Sequence, residues 1–457
     1  MILSDFMQLL ISLFDKFLLT FSPCKRKISQ LSSNCGQIKY NFCPGQMHKP
    51  VLTIFYQFNP WSPTIGGIQT IIRTFIKYAP SEFEVRLVGT EDDPYLPIDT
   101  WREAELAGRA IQFIAILKLK NDNFSGLIPT TVKYTAALMG RYLPSDFMHF
   151  HRLEPTIATR NWPGDKTFFV HNDIKKQMNP KASRNAILWQ YLPAGYFALE
   201  RFLVGQFTKI ISCNTASAEH YRQRYPVIAD RVNYLKNTVD NDIFYPLKLE
   251  DREESRRSLA QRLGLSEDTR FILFAGRLHA QKDPILLVRS FVALNDLNVH
   301  LLIVGEGNLG NDVRAEIYSL KLWGRVSMLG ALEQTEVAQL QRLSSVFVLS
   351  SAYEGLPLVV LEALASGTPV VTTDCGETPN LLSAESGIVC KERTPQAIAD
   401  ALRQVLLHPA DYPPEACVRA AEPYSARVVV GEVYSDMLRR WEQRNLLSST
   451  QLKIPCM

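Results

Sequence analysis

The sequence predicts an α/β protein made of two doubly wound domains in tandem, and three features carry that reading. Short, continuous apolar runs alternate with longer segments of helical period, from residue 51 almost to the C-terminus. Strands that are apolar throughout and separated by helices belong in a parallel sheet covered on both faces. The alternation breaks once, at residues 245–257, where Lys248, Glu250, Asp251, Arg252, Glu253, Glu254, Arg256 and Arg257 crowd together, and then resumes. Such a charged run is a solvated surface and suits a domain boundary. The third feature is length: 457 residues at about 150 per domain leave room for two large domains or three ordinary ones.

In the first half, strands are expected at residues 51–56, 84–88, 146–150, 167–170, 209–212 and 231–235, with a helix at 68–79. In the second half they are expected at 270–274, 299–304, 326–329, 346–349, 369–373 and 386–389, with helices between. Residues 428–444 read as a closing helix with Tyr434, Met437, Leu438 and Trp441 on one side. The expected division is an extension at 1–46, a first domain at 47–244, a second at 245–427, and a helix and tail at 428–457 that pack back toward the first domain. The segment between Glu91 and Arg141 yields no motif. Two such domains place a ligand in the cleft between them.

Composition narrows the function. Lys and Arg total 50 against 46 Asp and Glu, a net charge of +4. That is too small for a general nucleic-acid binder. At 46% hydrophobic and 21% charged residues, the chain has the composition of a globular protein rather than a disordered one. None of the eight cysteines forms a C-x-x-C pair. A zinc site or disulfide framework is not expected, and a reducing, cytoplasmic setting is. No run of 18 apolar residues predicts a transmembrane helix. Residues 1–21 are apolar but contain Asp5, Asp15 and Lys16 and lack the cationic start of a secretory signal. With Lys25, Arg26 and Lys27 behind them, they read either as an amphipathic helix in peripheral contact with a membrane surface or as an extension without fixed structure, upstream of a start at Met47.

Three strand-to-helix corners in the second domain carry the chemistry. In the first, a strand ends at Gly276 and is followed by Arg277 and Lys282 just before a helix beginning near Pro284. Cations beside a helix N-terminus suit a diphosphate; a solvated basic loop is the bland alternative. The second, Gly305-Glu306-Gly307-Asn308-Leu309-Gly310, matches G-x-G-x-x-G after a strand, with Glu333 near the acidic position of a dinucleotide site. Its place on an internal strand argues against NAD and for a tight turn beside a nucleoside. The third is Ser351-Ala-Tyr-Glu354-Gly355-Leu356-Pro357-Leu358, running on to Glu362 and Gly367. Gly355 permits a tight turn and close ligand approach, Pro357 suits the first helical position, and free amides at Gly355, Leu356 and Leu358 can face an anion. Glu354 then lies on the loop and Glu362 about one and a half turns into the helix. A carboxylate within an apolar run is poorly suited to a merely solvated role.

These elements together resemble glycosyltransferase family 4, the retaining nucleotide-sugar transferases of GT-B fold, over residues 51–441. The E-x7-E pair Glu354 and Glu362 is the most specific part. Arg277, Lys282 and Gly305-Glu306-Gly307 support it. So does Asn237-Thr238-Val239-Asp240, similar to the family's N-G-V-D with Thr238 in place of Gly. Tyr353 stands where many members have Phe. The resemblance implies two Rossmann-like domains facing a cleft and a hexosyltransferase-like activity. Arg277 and Lys282 would neutralise the donor diphosphate, Glu354 would hold the transferred sugar, and Glu362 would hold the ribose. Gly355, Leu356, Pro357 and Leu358 would approach the donor. No metal and no cofactor are implied beyond a UDP- or GDP-linked sugar as substrate.

In the first domain, Gly66 and Gly67 look like the family's glycine loop near the donor phosphate or acceptor. His149-Phe150-His151 looks like its H-x-H segment. Strand alternation places both histidines on one face; His151, nearer the strand end, is the preferred catalytic candidate, and His171 a third. The acceptor would be a glycan, a lipid-linked glycan or a small molecule. Two alternatives remain at this point: another nucleotide-dependent GT-B enzyme, such as an epimerase or a pyridoxal-phosphate phosphorylase, and a non-catalytic sugar-nucleotide-binding protein.

Overall fold

The computed structural model describes residues 48–62, 67–119, 129–171 and 193–451. The extension at 1–46 and Gly66 lie outside the described residues.

The first domain contains β1 (Val51–Phe55), α1 (Gly67–Lys77), β2 (Glu84–Glu91), β3 (Arg102–Leu106), β4 (Arg109–Lys118), α2 (Thr130–Met139), β5 (Phe147–Phe150), β6 (Asp165–Val170), α3 (Pro193–Leu203), β7 (Lys209–Ser212), α4 (Thr215–Arg224) and β8 (Val232–Tyr234). Its eight strands lie in the order β3-β4-β2-β1-β5-β6-β7-β8, parallel except for the β3–β4 pair. That antiparallel hairpin occupies part of the stretch where the sequence offered no motif. Its two-residue turn, Ala107-Gly108, has positive φ at both positions (54° and 74°). This is the geometry of hairpin turns whose usual signature is Asn-Gly or Asp-Gly, so an alanine there hides the turn.

The second domain contains α5 (Leu249–Arg262), β9 (Arg270–Ala275), α6 (Pro284–Phe291), β10 (Val299–Val304), α7 (Gly310–Ser319), β11 (Val326–Gly330), α8 (Gln334–Leu343), β12 (Val346–Leu349), α9 (Leu358–Ala365), β13 (Val370–Thr373), α10 (Thr378–Leu381), β14 (Gly387–Cys390), α11 (Pro395–Leu407) and α12 (Pro414–Ala421). The six strands are parallel, in the order β11-β10-β9-β12-β13-β14. Counted within the domain this is 3-2-1-4-5-6, the doubly wound dinucleotide-fold order. The charged run, read from the sequence as a solvated face, lies at the surface and forms most of α5. Leu259 and Ala260 are its buried residues, and Arg252 donates to Arg342 O (2.8 Å) and Ser344 O (2.7 Å). Carbonyl contacts, rather than an apolar stripe, hold this helix, which is why hydrophobic periodicity could not find it.

The chain returns to the first domain through α13 (Ala426–Gln451). Val430, Tyr434, Met437 and Trp441 enter the core built from β1, α1 and β2, and the Tyr434 hydroxyl donates to Phe75 O at 2.9 Å. Fully burying a side chain of this size contributes about 1.5–3 kcal/mol. On its polar side, Asp436 takes Lys209 (2.6 Å), and Asp165 takes Arg440 and Arg444.

A doubly wound sheet binds ligands beyond the carboxyl ends of its strands, where the strand order reverses. Here the reversals fall between β1 and β5 in the first sheet and between β9 and β12 in the second. Each corner singled out in the second domain, and the H-x-H segment of the first, lies at or beside one of these two points.

Candidate functional site

The second-domain half is charged. Lys282 follows β9 and Glu354 follows β12, so they flank the switch point and meet across it, with Lys282 Nζ 2.6 Å from Glu354 Oε1. Glu354 is further held by Ser351 Oγ (2.6 Å, Oε1) and by Gln281 Nε2 (3.4 Å, Oε2), and Gln281 also donates to Tyr353 O. Arg277 is exposed and has no ion-pair partner among the described residues. Glu362 lies on α9, buried within the domain. Burial pushes its carboxyl up to about 7, against a hydrogen bond from Gln334 and the positive charge of Lys282.

The turn after β10 has a packing role. Gly305 has φ 124°, and a Cβ there would lie 2.1 Å from Gly276 O; at Gly307 it would lie 2.4 Å from Leu278 O. Backbone bonds join the two corners, Leu278 N to Glu306 O (2.9 Å) and Leu309 N to Leu278 O (3.0 Å). These glycines let the Arg277 loop close over the β10 corner. Glu306 is exposed beside them. Glu333, the acidic residue weighed for a ribose, stands at the N-cap of α8, where its own N–H bonds Glu336 Oε2 at 2.9 Å.

One detail of the third corner differs from expectation. Pro357 precedes the helix instead of opening it: α9 starts at Leu358, and Pro357 has extended backbone (φ −71°, ψ 121°). Leu356 is tied to the first domain through its carbonyl, which accepts from Asn237 Nδ2. Gly355 fits closely between the domains: a Cβ there would lie 2.4 Å from His171 O and 2.9 Å from Cys213 Sγ.

The first-domain half is aromatic, and its histidines are held neutral by burial and by the nearby Arg152 guanidinium. His151 follows β5 and stacks on Phe169 (centroids 4.8 Å apart) and on His171 (5.1 Å), with His151 Nδ1 and His171 Nε2 2.9 Å apart. Burial lowers His151 well below its ordinary range, reinforced by His171, and lowers His171 to about 3. His149, on the same strand face, is enclosed edge-on by Phe75 and Phe169, and neither of its ring nitrogens has a hydrogen-bond partner among the described residues. Burial lowers it, too, to about 3. Gly67 opens α1, and a Cβ on it would lie 3.8 Å from Leu358 Cδ1. The N-termini of α1 and α9 thus meet across the cleft, bringing two positive dipole ends together.

The structure therefore brings Gly67, His151, His171, Lys282, Glu354, Gly355 and Leu358 to one seam. Gln281, Ser351, Cys213, Thr215 and Glu377 also stand there without having been singled out. Ser351 and Gln281 are sequence neighbours of recognised residues and were within reach of local reading. Thr215 and Glu377 are 162 positions apart and were not.

Two sheets of this kind facing a cleft define the GT-B fold. Solved structures share it. Sucrose-phosphate synthase from Thermosynechococcus elongatus has a TM-score of 0.69 at 18% identity, covering 86% of this chain and all of that one. Anabaena Alr3699/HepE, in complex with UDP-glucose, has 0.62 at 16%, with the same coverage. Residues 255–422, which make up most of the second domain, match the family of glycosyl transferases group 1. Among curated relatives, an uncharacterized glycosyltransferase of Methanocaldococcus jannaschii is 28% identical over 46% of this chain and 53% of its own length. The D-inositol 3-phosphate glycosyltransferase of Xylanimonas cellulosilytica is 30% identical over 47% and 52%. The chain spans about half the length of the curated relatives it matches.

Proposed function

We propose that this chain is a retaining glycosyltransferase of family 4 that moves a sugar from a UDP- or GDP-linked donor to a glycan, lipid-linked glycan or small-molecule hydroxyl. One observation carries the reading. The N-termini of α1 and α9 face each other beside Lys282, Glu354 and Glu362, at the second sheet's switch point. Helix amides and cations converging on a carboxylate pair suit a diphosphate joined to hydroxyl-rich groups. The UDP-glucose complex of the HepE structure supports the same donor class.

In this reading Lys282 and Arg277 neutralise the diphosphate and the charge that builds on it as the C1–oxygen bond breaks, which is where preorganised charge counts most. Glu354 accepts hydrogen bonds from the transferred sugar, and Glu362 from the ribose. The acceptor oxygen bonds C1 on the face the phosphate leaves, and its proton passes to the departing phosphate. His151, neutral and fixed by His171, offers its Nε2 to a substrate hydroxyl. The amides of Gly355 and Leu358 and the turn at Gly305-Glu306-Gly307 line the donor side. A cytoplasmic location with peripheral membrane contact through residues 1–46 belongs to the proposal. Sedimentation with liposomes before and after removing those residues tests that part; unchanged binding excludes the anchor.

The test of the activity is a panel of UDP- and GDP-hexoses given to the purified full chain, read by nucleotide release and by NMR of the anomeric proton. Release with retained configuration is the expected result. Inverted configuration, or NAD as the sole ligand bound, overturns the reading.

A further inference from the structure

We infer that Glu377 is a positioning residue that fixes the Glu354–Gly355 loop against the first domain; this rests on the transferase reading above. Glu377 follows β13, in the turn next to that loop, and is 6% exposed. Its N–H donates to Gly355 O at 2.8 Å. Gly376 before it has φ 61°, and a Cβ there would lie 2.0 Å from Gly355 O. The turn therefore packs directly on the loop that bears Glu354. The Glu377 carboxylate reaches the other way. Its Oε1 accepts from both the N–H and the hydroxyl of Thr215, each at 2.6 Å, and Asn380 Nδ2 donates to Oε2 at 3.1 Å.

Thr215 is the first residue of α4, whose N-cap is Asn214, with Oδ1 accepting from Ser217 N at 2.8 Å. That cap leaves the Thr215 amide to an outside acceptor, and a carboxylate at a helix N-terminus is favoured by the dipole. A buried carboxylate holding three donors is rigid, because losing any of them leaves charge unpaired in a dry site. The Glu377 backbone grips the donor loop while its side chain grips the first domain. The Asn237–Leu356 contact ties the same loop a residue further on. Arg277, Lys282 and Glu362 all belong to the second domain, so this linkage registers the bound sugar with His151 more than it adds to donor affinity.

The test uses the full chain and three variants. Glu377→Ala removes the acceptor. Thr215→Pro removes both donors at a position where proline suits a helix start, and Asn214 already has the extended backbone (φ −132°, ψ 127°) that a residue before proline adopts. Glu377→Gln keeps an acceptor oxygen for Thr215. Each of the first two variants is expected to lower kcat about tenfold and leave donor KM within about twofold, and Thr215→Pro, which strands the Glu377 carboxylate, should also lower Tm while the chain stays folded. The double variant should be no worse than either single one, as for two residues acting as a unit, and Glu377→Gln should recover most of the turnover. Unchanged kcat, a donor KM that rises in step, or an additive double variant overturns the inference. Small-angle scattering of the same proteins reads the linkage without turnover. Enlarged Glu377→Ala and Thr215→Pro particles sustain it even if the wild-type chain transfers no sugar, a result that would sink the transferase reading alone. Superimposable scattering profiles contradict it.

Discussion

The two switch points occupy equivalent places in two similar sheets yet are built from opposite chemistry. Beyond β9 and β12 the side chains are ionic: Lys282 on Glu354, Arg277 exposed beside them, Glu362 buried behind. Beyond β5 and β6 the histidines are stacked and neutral, His151 and His171 sharing one hydrogen bond against Phe169 with Arg152 beside them. The fold sets where ligands meet the sheet, and side chains alone decide what kind of ligand each half accepts. The ionic half suits a diphosphate donor, and the half lined by neutral histidines suits a hydroxyl.

The largest expected effect breaks the charged half. Lys282→Ala or Glu354→Ala should lower kcat/KM by roughly 10²–10³-fold, the range for losing one preorganised contact to developing charge, with circular dichroism unchanged. Wild-type turnover in either variant would end its assigned role. Next comes the anchor beneath the first-domain half. Met437 is 1% exposed in the core shared by α13 and the first domain, and Met437→Ala should cost about 2–5 kcal/mol in urea unfolding.

The two halves should also differ in the sign of their pH dependence. His149 and His171 have folded pKa values near 3, below the ordinary value of about 6.5. Between those values the unfolded chain binds more protons, so their contribution is complete above pH ~6.5 and is lost as pH falls. Glu362 runs the other way. Its folded value near 7 lies above the ordinary glutamate value of 4.5, so its contribution is complete below that and lost as pH rises through 7. Glu362→Gln should therefore raise Tm at pH 8, leave it unchanged near pH 4.5, and weaken donor binding; an equal Tm shift at both pH values would refute the assignment. The smallest effect is a control on the surface. Breaking the surface Arg403–Asp296 pair (2.6 Å) with Arg403→Ala should leave Tm nearly unchanged, because a solvated ion pair contributes little, and turnover wholly so.

Much of this was legible in the sequence, for reasons that differ by region. Continuous apolar strands such as Val299–Val304 announce a parallel sheet by themselves. The charged half could be read because its residues sit in local motifs: Lys282 five positions after Arg277, and Glu362 eight after Glu354. The β3–β4 hairpin was hidden by Ala107 in a turn that usually signals with Asn or Asp. Helix α5 was hidden because arginine-to-carbonyl bonds replace an apolar face. The histidine stack depends on strand register: His149 pairs with Thr167 and Phe150 with Phe168, which sets His151 beside Phe169 and within reach of His171. No spacing within either strand encodes that register. The Glu377–Thr215 contact spans both domains and exists only once the cleft has formed.

The most direct test of the central claim is calorimetric titration of the full-length chain with UDP-glucose, GDP-mannose and NAD, repeated on Lys282→Ala. The account predicts that one nucleotide sugar binds, that NAD does not, and that Lys282→Ala weakens the binding at least tenfold. Binding of NAD alone, or sugar-nucleotide binding that is indifferent to Lys282, would contradict it.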